Sequence, residues 1–341
     1  MIQYPHGCLE QITSAAFPQL SIPELVALDE PSEKAVERHV RAAIQSIARF
    51  QTPSGRFAYW PGAEESQPWA NLYAGHFLVE AAQRGYHVPP NLVGRWLDDE
   101  RAVARAWTTG GEGAALIQAY RLYVLAVQGS AEIGAMNRLR ESGELESPTR
   151  WVLAAAYALA GLPDAAKEVA RGAAESASSE ATQLATFGST TRDRALILLA
   201  RIRVGRAGVP IARKDDDALI EAISADLAGD AWLSTQSTAF ALMALSESAM
   251  SREDVAFELE LSLPGAKSER IASPKPILRR TFPDFPDAGG PVELANRSKR
   301  KLFVRWTTTG IAPPGADRAS ARGLALRVDY RDARGEPVDL D

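Results

Sequence analysis

Three segments of this chain are apolar on nearly every side and rich in alanine, namely residues 150–160, 194–202 and 235–247. A helix that is apolar all round must be surrounded by other elements, so each of these segments predicts a helix buried on every face. Other segments, such as 31–50, are apolar on one side only. Alternation of the two kinds predicts a mainly α fold in which an outer ring of helices wraps an inner ring. The expected architecture is an α/α toroid, similar to that of terpenoid cyclases, with about six helix pairs.

Helix periodicity and start signals cover almost all of the first 250 residues. Proline and acidic residues open several of these segments, and glycine or proline occupies the connections between them. The predicted helices are 8–20, 32–50, 70–84, 89–106, 113–128, 131–141, 148–160, 163–177, 191–205, 215–228 and 234–249.

The pattern changes after about residue 252, where apolar and polar residues begin to alternate. Alternation of this kind is typical of half-buried strands. Strands are expected within 255–265, 292–298, 299–310 and 323–341, the last with a turn at Ala333–Gly335. Five short strands make a poor sandwich by themselves, so we expect the remaining strands to lie outside this sequence.

Composition excludes several classes of function. Apolar residues make up 46% of the chain, but no run approaches the ~20 apolar residues that a membrane-spanning helix needs. The net charge is -5 and the basic residues are scattered, which argues against a nucleic-acid surface. The opening MIQYPHG has no signal-peptide pattern, and it places a motif at the very start. We therefore expect the chain to be a piece of a longer protein.

The single cysteine, Cys8, is followed at i+3 by Gln11. A lone cysteine is often a small buried hydrophobic residue, and that interpretation stays open. Residues three apart at the start of a helix share a face, and the positive end of the helix favours a thiolate. Such a thiolate can attack the Gln11 carboxamide, expel ammonia and form an internal thioester, with Glu10 as a possible proton shuttle.

The segment GCLEQ resembles the thioester motif of the alpha-2-macroglobulin and complement family. Further segments look like the thioester domain of bacterial alpha-2-macroglobulins, and together they span most of residues 4–250. These segments are YPHGCLEQITSAAFPQL, GRFAYWPG, WANLYAGHFLVEAAQRGYHVP, RDRALILLA and WLSTQSTAFALMAL.

The resemblance implies a domain order of 1–251 for a toroidal thioester domain, 252–315 for the returning half of a CUB-like domain, and 316–341 for the start of a macroglobulin-like β domain. It also implies a protease trap rather than an enzyme. A lysine amine of an attacking protease takes the acyl group of Gln11, and the protease is held covalently. No cofactor and no metal are implied.

The partners that the resemblance implies are proteases and neighbouring macroglobulin-like domains of the same full-length chain, with no nucleic acid. It implies a periplasmic protein, tethered to the inner membrane only through a lipid anchor outside this sequence. A dry pocket must protect an intact thioester, and four aromatic residues near the motif could form it or could be ordinary core: Tyr4, Phe17, Tyr59 and Trp60.

Histidines and acidic clusters leave alternatives. Some relatives use a histidine more than a hundred residues after the cysteine, but the last histidine here is His87, so we expect transfer to amines. His76 is interpreted as structural, and His6 lies next to the motif. Acidic clusters at 96–102 and 214–222 lack cyclase patterns. Two other functions remain open: a non-covalent interaction module with an unformed thioester, and a toroidal glycan hydrolase or cyclase.

Overall fold

The fold is that of a computed structural model, which describes residues 2–251, 256–282, 290–299, 302–307 and 329–338. Contacts divide the chain into two units, Met1–Ser298 and Lys299–Asp341. No helix among the described residues is long and apolar enough to cross a membrane.

The first unit is mainly helical, as the sequence predicts. Its helices are α1 (Leu9–Ala16), α2 (Ile22–Leu25), α3 (Glu30–Ala48), α4 (Pro68–Gln83), α5 (Pro90–Ala106), α6 (Ala114–Val127), α7 (Ile133–Glu141), α8 (Ser147–Leu159), α9 (Pro163–Ala170), α10 (Glu180–Ala185), α11 (Thr190–Arg206), α12 (Arg213–Ala228) and α13 (Thr235–Met250), with a 3-10 helix at Phe17–Leu20.

Capping side chains and prolines fix where the helices begin. The side chains of Asp29, Ser189 and Ser234 each accept a hydrogen bond from a backbone N–H in the first turn of the helix that follows. Each satisfies a donor that has no partner within the helix. Pro68 and Pro163 open α4 and α9, where a missing N–H costs nothing.

Six helices contact one another in a closed order, α1 to α4, α6, α8, α11, α13 and back to α1. Four further helices pack against these: α3 contacts α1 and α4, α5 contacts α4 and α6, α7 contacts α6 and α8, and α12 contacts α11 and α13. The three segments predicted to be buried on every face belong to α8, α11 and α13, and these helices are buried along most of their length. The amphipathic α3 buries only one stripe.

Three details of the helix prediction differ from the structure. Helix α1 ends at Ala16 and a 3-10 turn follows, because Pro18 has no N–H to continue the α-helix. The segment predicted over 163–177 ends at Ala170. Helices α2 and α10 escaped prediction because each is at most six residues long, too short to show a helical period.

A small antiparallel sheet follows the helices and contains β1 (Phe257–Ser262), β2 (Glu269–Ser273) and β3 (Glu293–Asn296) in the order β2-β1-β3. The strands predicted within 255–265 and 292–298 are confirmed, whereas β2 escaped prediction. The sheet segment is joined to the helical part near α2, where the Ile277 N–H donates to the Leu25 carbonyl at 3.0 Å. Lys275 Nζ donates to the Pro23 carbonyl at 2.7 Å.

The second unit is described only in part. The turn predicted at Ala333–Gly335 is present, and the Asp332 carboxylate accepts from the backbone N–H of Arg334 at 2.8 Å and of Glu336 at 2.9 Å. Of the strand predicted over 299–310, the structure describes residues 299 and 302–307, and it assigns no strand there. The strand segment predicted at 323–328 lies outside the described residues. The domain boundaries given above stay predictions.

Candidate functional site

Cys8 is the residue at which the first helix begins. It is the N-cap of α1 with extended backbone (φ -74, ψ 172), and its side chain is buried, with 3% exposed. The residue before it, Gly7, has φ +107, a conformation that favours glycine. A Cβ at Gly7 would also lie 2.1 Å from Gln11 Oε1. Glycine is therefore required for Gln11 to fold back toward Cys8.

The structure brings Cys8 and Gln11 together in a reciprocal arrangement. The Cys8 side chain faces the backbone N–H of Gln11, and the Cys8 N–H donates to Gln11 Oε1 at 3.2 Å. This is a capping box in which cysteine replaces serine and glutamine occupies its usual third position. The carboxamide of Gln11 is thereby held beside the sulfur, with its carbonyl oxygen accepting a hydrogen bond. Gln11 itself is exposed, so solvent reaches the site from its side.

Glu10 is buried and its carboxylate links α1 to α13. Ser14 Oγ donates to Glu10 Oε1 at 2.6 Å, and Thr235 Oγ1 lies 3.0 Å from each carboxylate oxygen. Thr235 stands at the first position of α13, so the positive end of that helix also favours the carboxylate. The role of Glu10 as a proton shuttle stays a prediction. Sequence reasoning missed Thr235 because it is 225 residues away from Glu10.

Tyr59 is fixed beside the motif through its backbone. Its carbonyl accepts a hydrogen bond from the Leu9 N–H at 3.1 Å. Burial raises the pKa of Tyr59, and the neighbouring Cys8 and Glu10 side chains raise it further. The hydroxyl therefore stays protonated and is available as a donor.

The other aromatic residues predicted to lie near the motif divide into two groups. Phe17 is buried and its ring stacks on Tyr73 with centroids 5.7 Å apart. Tyr4 and Trp60 are 53% and 52% exposed. The Tyr4 ring packs edge-on against His39 at 5.7 Å. Of the four, Tyr59 is the one with a described hydrogen bond to Leu9, the residue that follows Cys8.

A segment with strained backbone, in the loop after α10, packs against Tyr59. Phe187 has φ +50, an uncommon conformation for a bulky residue, and its ring lies 5.8 Å from that of Tyr59. The fully buried Arg192 holds this segment, donating to the Thr186 carbonyl at 3.2 Å and to Thr186 Oγ1 at 2.7 Å. A Cβ at Gly188 would lie 1.9 Å from the Arg192 guanidinium. No motif in the sequence points to this contact.

The histidines are placed as structural or surface groups. His76 is buried, with Nδ1 2.8 Å from the Tyr120 hydroxyl and Nε2 3.6 Å from Glu80 Oε1. Burial lowers the pKa of His76 against the opposing effect of Glu80. This agrees with the structural interpretation made from the sequence. His6 is exposed, and its role stays untested.

The acidic clusters considered for cyclase chemistry are engaged in ion pairs. Arg201 Nε donates to Asp216 Oδ1 at 2.5 Å, and Arg201 Nη2 lies 3.7 Å from Asp215 Oδ2. Arg56 pairs with Asp99 at 2.6 Å. Within the part of the chain that the structure describes, no group of three or more His, Cys, Asp or Glu side chains could hold a metal ion.

Comparison with known proteins gives consistent matches in sequence. No family model matches the chain. Alpha-2-macroglobulin of Escherichia coli (strain K12) is 28% identical over 249 residues, which cover 68% of this chain and 15% of that protein. The Xylella fastidiosa (strain Temecula1) protein is 29% identical over 259 residues, which cover 69% of this chain and 15% of that protein. The alpha-2-macroglobulin of Pasteurella multocida (strain Pm70) is 22% identical over 368 residues, which cover 99% of this chain and 19% of that protein. The chain thus spans less than a fifth of the length of these relatives.

Comparison with solved structures also matches this fold to alpha-2-macroglobulins. Salmonella alpha-2-macroglobulin reacted with methylamine matches with a TM-score of 0.63 and 26% identity, over 80% of this chain and 18% of that one. Native E. coli alpha-2-macroglobulin, from domain MG7 to the C-terminus, matches with a TM-score of 0.62 and 23% identity. The match covers 80% of this chain and 44% of that one. These findings confirm the resemblance seen in the sequence and support a fragment of the bacterial alpha-2-macroglobulin family.

Proposed function

We propose that this chain is the thioester-bearing segment of a bacterial alpha-2-macroglobulin that traps proteases covalently. The observation that carries the proposal is the reciprocal arrangement of Cys8 and Gln11 at the start of α1, with the thiol buried and the carboxamide beside it. An amide carbon held next to a sulfur at the positive end of a helix is the geometry that an internal thioester needs.

Two steps make up the chemistry. In the first, the Cys8 thiolate attacks Cδ of Gln11, the C–N bond breaks, and ammonia leaves with the proton of the thiol. In the second, a lysine amine attacks the same carbon, the C–S bond breaks, and an amide forms while the thiol is released. Each molecule reacts once, so the protein is an endopeptidase inhibitor rather than an enzyme.

The matches support the partner class. The structures similar to this one include Salmonella alpha-2-macroglobulin reacted with methylamine, a small amine, and E. coli alpha-2-macroglobulin activated by porcine elastase, a protease. An amine nucleophile and an attacking protease are the two reactants that the proposed chemistry requires. We extend both to this chain, and we expect transfer to amines because the last histidine of the sequence is His87.

The finer fold assignment belongs to the same proposal. The closed order of α1, α4, α6, α8, α11 and α13 supports an α/α toroid over 1–251. The antiparallel sheet supports a CUB-like half over 252–315, with a macroglobulin-like β domain beginning at 316. Other macroglobulin-like domains would cover the site, and a periplasmic location with a lipid anchor elsewhere in the protein follows from the resemblance.

Mass spectrometry of the protein from its native host, before and after methylamine, tests the proposal. Loss of ammonia lowers the mass by about 17 Da, and aminolysis then brings it to about 14 Da above the gene-derived value. The addition maps to the tryptic segment ending at Lys34, which holds both Cys8 and Gln11.

Three variants sharpen the test. Cys8→Ser and Gln11→Glu should each abolish both mass changes, while Gln45→Ala, an exposed glutamine on α3, should leave them intact. An unshifted mass with a free thiol that ignores methylamine would refute the trap and favour the non-covalent interaction module.

A further inference from the structure

The peptide unit between Cys8 and Leu9 is held on both of its sides. Its carbonyl accepts the first hydrogen bond within α1, from the Ile12 N–H at 3.0 Å. Its N–H belongs to the first residue of the helix, which has no acceptor within the helix, and it donates to the Tyr59 carbonyl at 3.1 Å. The orientation of this peptide unit helps to set where the Cys8 side chain lies relative to Gln11. The Tyr59 carbonyl is therefore part of the geometry of the motif.

Tyr59 follows a tight turn in the segment between α3 and α4. Across this turn the Thr52 N–H donates to the Arg56 carbonyl at 2.8 Å, and the Ala58 N–H donates to the Phe50 carbonyl at 2.9 Å. The N–H of residue 57 does not pair across the turn. It donates instead to the side chain of Asn71 on α4, at 2.8 Å from Oδ1. This buried hydrogen bond attaches the turn to the helical core.

The partners of Asn71 require an amide at this position. Its Oδ1 accepts from the Phe57 N–H and, at 3.2 Å, from Trp96 Nε1. Its Nδ2 donates to Glu100 Oε1 at 2.6 Å, and Arg121 Nε donates to the other oxygen of that carboxylate at 2.7 Å. Asn71, Trp96 and Glu100 are each at most 2% exposed, so water cannot replace these partners. Asparagine offers the acceptor on one side and the donor on the other that this place needs.

We propose that Asn71 is a positioning residue for the reaction of Cys8 with Gln11: it holds the turn before Tyr59, and the Tyr59 carbonyl then fixes the peptide unit that follows Cys8. This inference rests on the proposed function and assigns a role within it. Asn71 acts through the backbone of residues 57–59 and not on the reacting atoms. Because misplacement by about 1 Å can slow a reaction a hundredfold, a loosened turn should impair thioester formation.

The first experiment measures the link itself and does not require a thioester. Amide hydrogen exchange is followed by NMR in the 341-residue chain. Asn71→Leu keeps the size of the side chain but removes the acceptor of a buried N–H. We expect the Leu9 N–H to exchange about tenfold to a hundredfold faster, while the buried Leu153 of α8 changes less. A merely structural role would speed both amides alike through global unfolding.

A control variant lowers stability far from the turn. Met136 is fully buried on α7, which contacts α5, α6 and α8. Met136→Ala leaves a cavity there and destabilises the same helical unit. It should not make the Leu9 N–H exchange faster relative to Leu153. Selective exchange at Leu9 in this control would count against a specific role for Asn71.

A double variant exchanges the amide and the carboxylate of the network. In Asn71→Asp/Glu100→Gln, the carboxylate at position 71 accepts from the Phe57 N–H and from Trp96. The amide at position 100 then donates to that carboxylate and accepts from Arg121. The exchange keeps both the charge and the number of hydrogen bonds, so protection of the Leu9 N–H should remain within about threefold of that in the unaltered chain.

The second experiment measures the reaction in protein from the native host. Asn71→Leu should lower the fraction of chains that carry the thioester mass about tenfold, whereas the double variant and Met136→Ala should retain it. Urea unfolding shows whether Asn71→Leu and Met136→Ala lose similar stability. An equal fall in both, at similar stability, would overturn the positioning role, because loss of stability alone would then explain it.

The remaining outcomes separate this inference from the proposed function. If Asn71→Leu does not fold by circular dichroism, Asn71→Ser removes the same acceptor with a smaller side chain and should show the same selective exchange. Unchanged exchange at Leu9 in the folded variants would overturn the role of Asn71, whether or not the thioester forms. If the unaltered protein lacks the thioester mass while Leu9 exchange responds to Asn71, the proposed function fails and the link between Asn71 and Leu9 stands.

Discussion

Replacement of Arg192 by methionine tests whether the buried ion pair beneath the site determines the stability of the helical unit. The Arg192 and Asp193 side chains are both 0% exposed, and Arg192 Nε donates to Asp193 Oδ1 at 2.8 Å. The guanidinium also donates to Thr186 twice and to Gln236 Oε1 at 3.3 Å, and it lies 4.6 Å from the Trp69 ring. Burial lowers the pKa of Arg192, and the charge and hydrogen bond of Asp193 oppose that effect.

The expected loss follows from what the substitution leaves behind. Methionine fills much of the space of the arginine but leaves the Asp193 carboxylate without its cation. Breaking one side of a buried pair costs about 3–5 kcal/mol. The Asp193 carboxylate still accepts from the Ser178 N–H at 2.9 Å, which makes the lower part of that range the expected value. Since domains have unfolding free energies of about 5–15 kcal/mol, this is a large fraction of the total.

Urea unfolding followed by circular dichroism measures the change, with the slope against urea as a check that the unfolded state is unaltered. Arg194→Met is the matched control on the same helix, because its ion pair with Asp226 at 3.0 Å is about one-third exposed. Exposed pairs contribute about 0–1 kcal/mol. Equal losses for the two variants, or a loss below about 1 kcal/mol for Arg192→Met, would refute the reasoning.

Three further predictions concern packing, the site and pH. Gly75→Ala places a Cβ 2.1 Å from the buried Trp96 ring and should destabilise the fold by about 1–3 kcal/mol, whereas Gly94→Ala, also within a helix but with open space around it, should be neutral or slightly stabilising in the same urea assay. Thr235→Val should lower the fraction of chains that carry the thioester mass, because the motif glutamate loses a donor, while Thr235→Ser should retain it; equal fractions in both variants would contradict the assignment. The folded-state pKa of His76 is below its unfolded value of about 6.5, so its contribution to stability is present above that pH and is lost as pH falls. His76→Gln should therefore flatten the decline of the unfolding free energy between about pH 7 and 5, and an unchanged slope would refute this.

Comparison of the predicted and observed helix bounds shows which elements sequence periodicity can locate. The segments over 32–50 and 89–106 match α3 and α5 to within two residues at each end, because apolar spacing and proline or acidic start signals act within a few residues of each other. The short helix α10 and the strand β2 were not predicted, because neither is long enough to display a period. The strand β2 depends on pairing with β1, which a local pattern does not reveal.

The sequence by itself determined the helical class, the change to strands after residue 252 and the pairing of Cys8 with Gln11. All three depend on residues that are close along the chain, and spacing alone places the two motif residues on one turn of helix. Only the tertiary structure decided that Thr235 reaches Glu10, that the Tyr59 carbonyl binds the Leu9 N–H and that Phe187 packs on Tyr59. The Thr235 contact forms because the chain closes α13 back onto α1, and no local propensity encodes a contact across 225 residues.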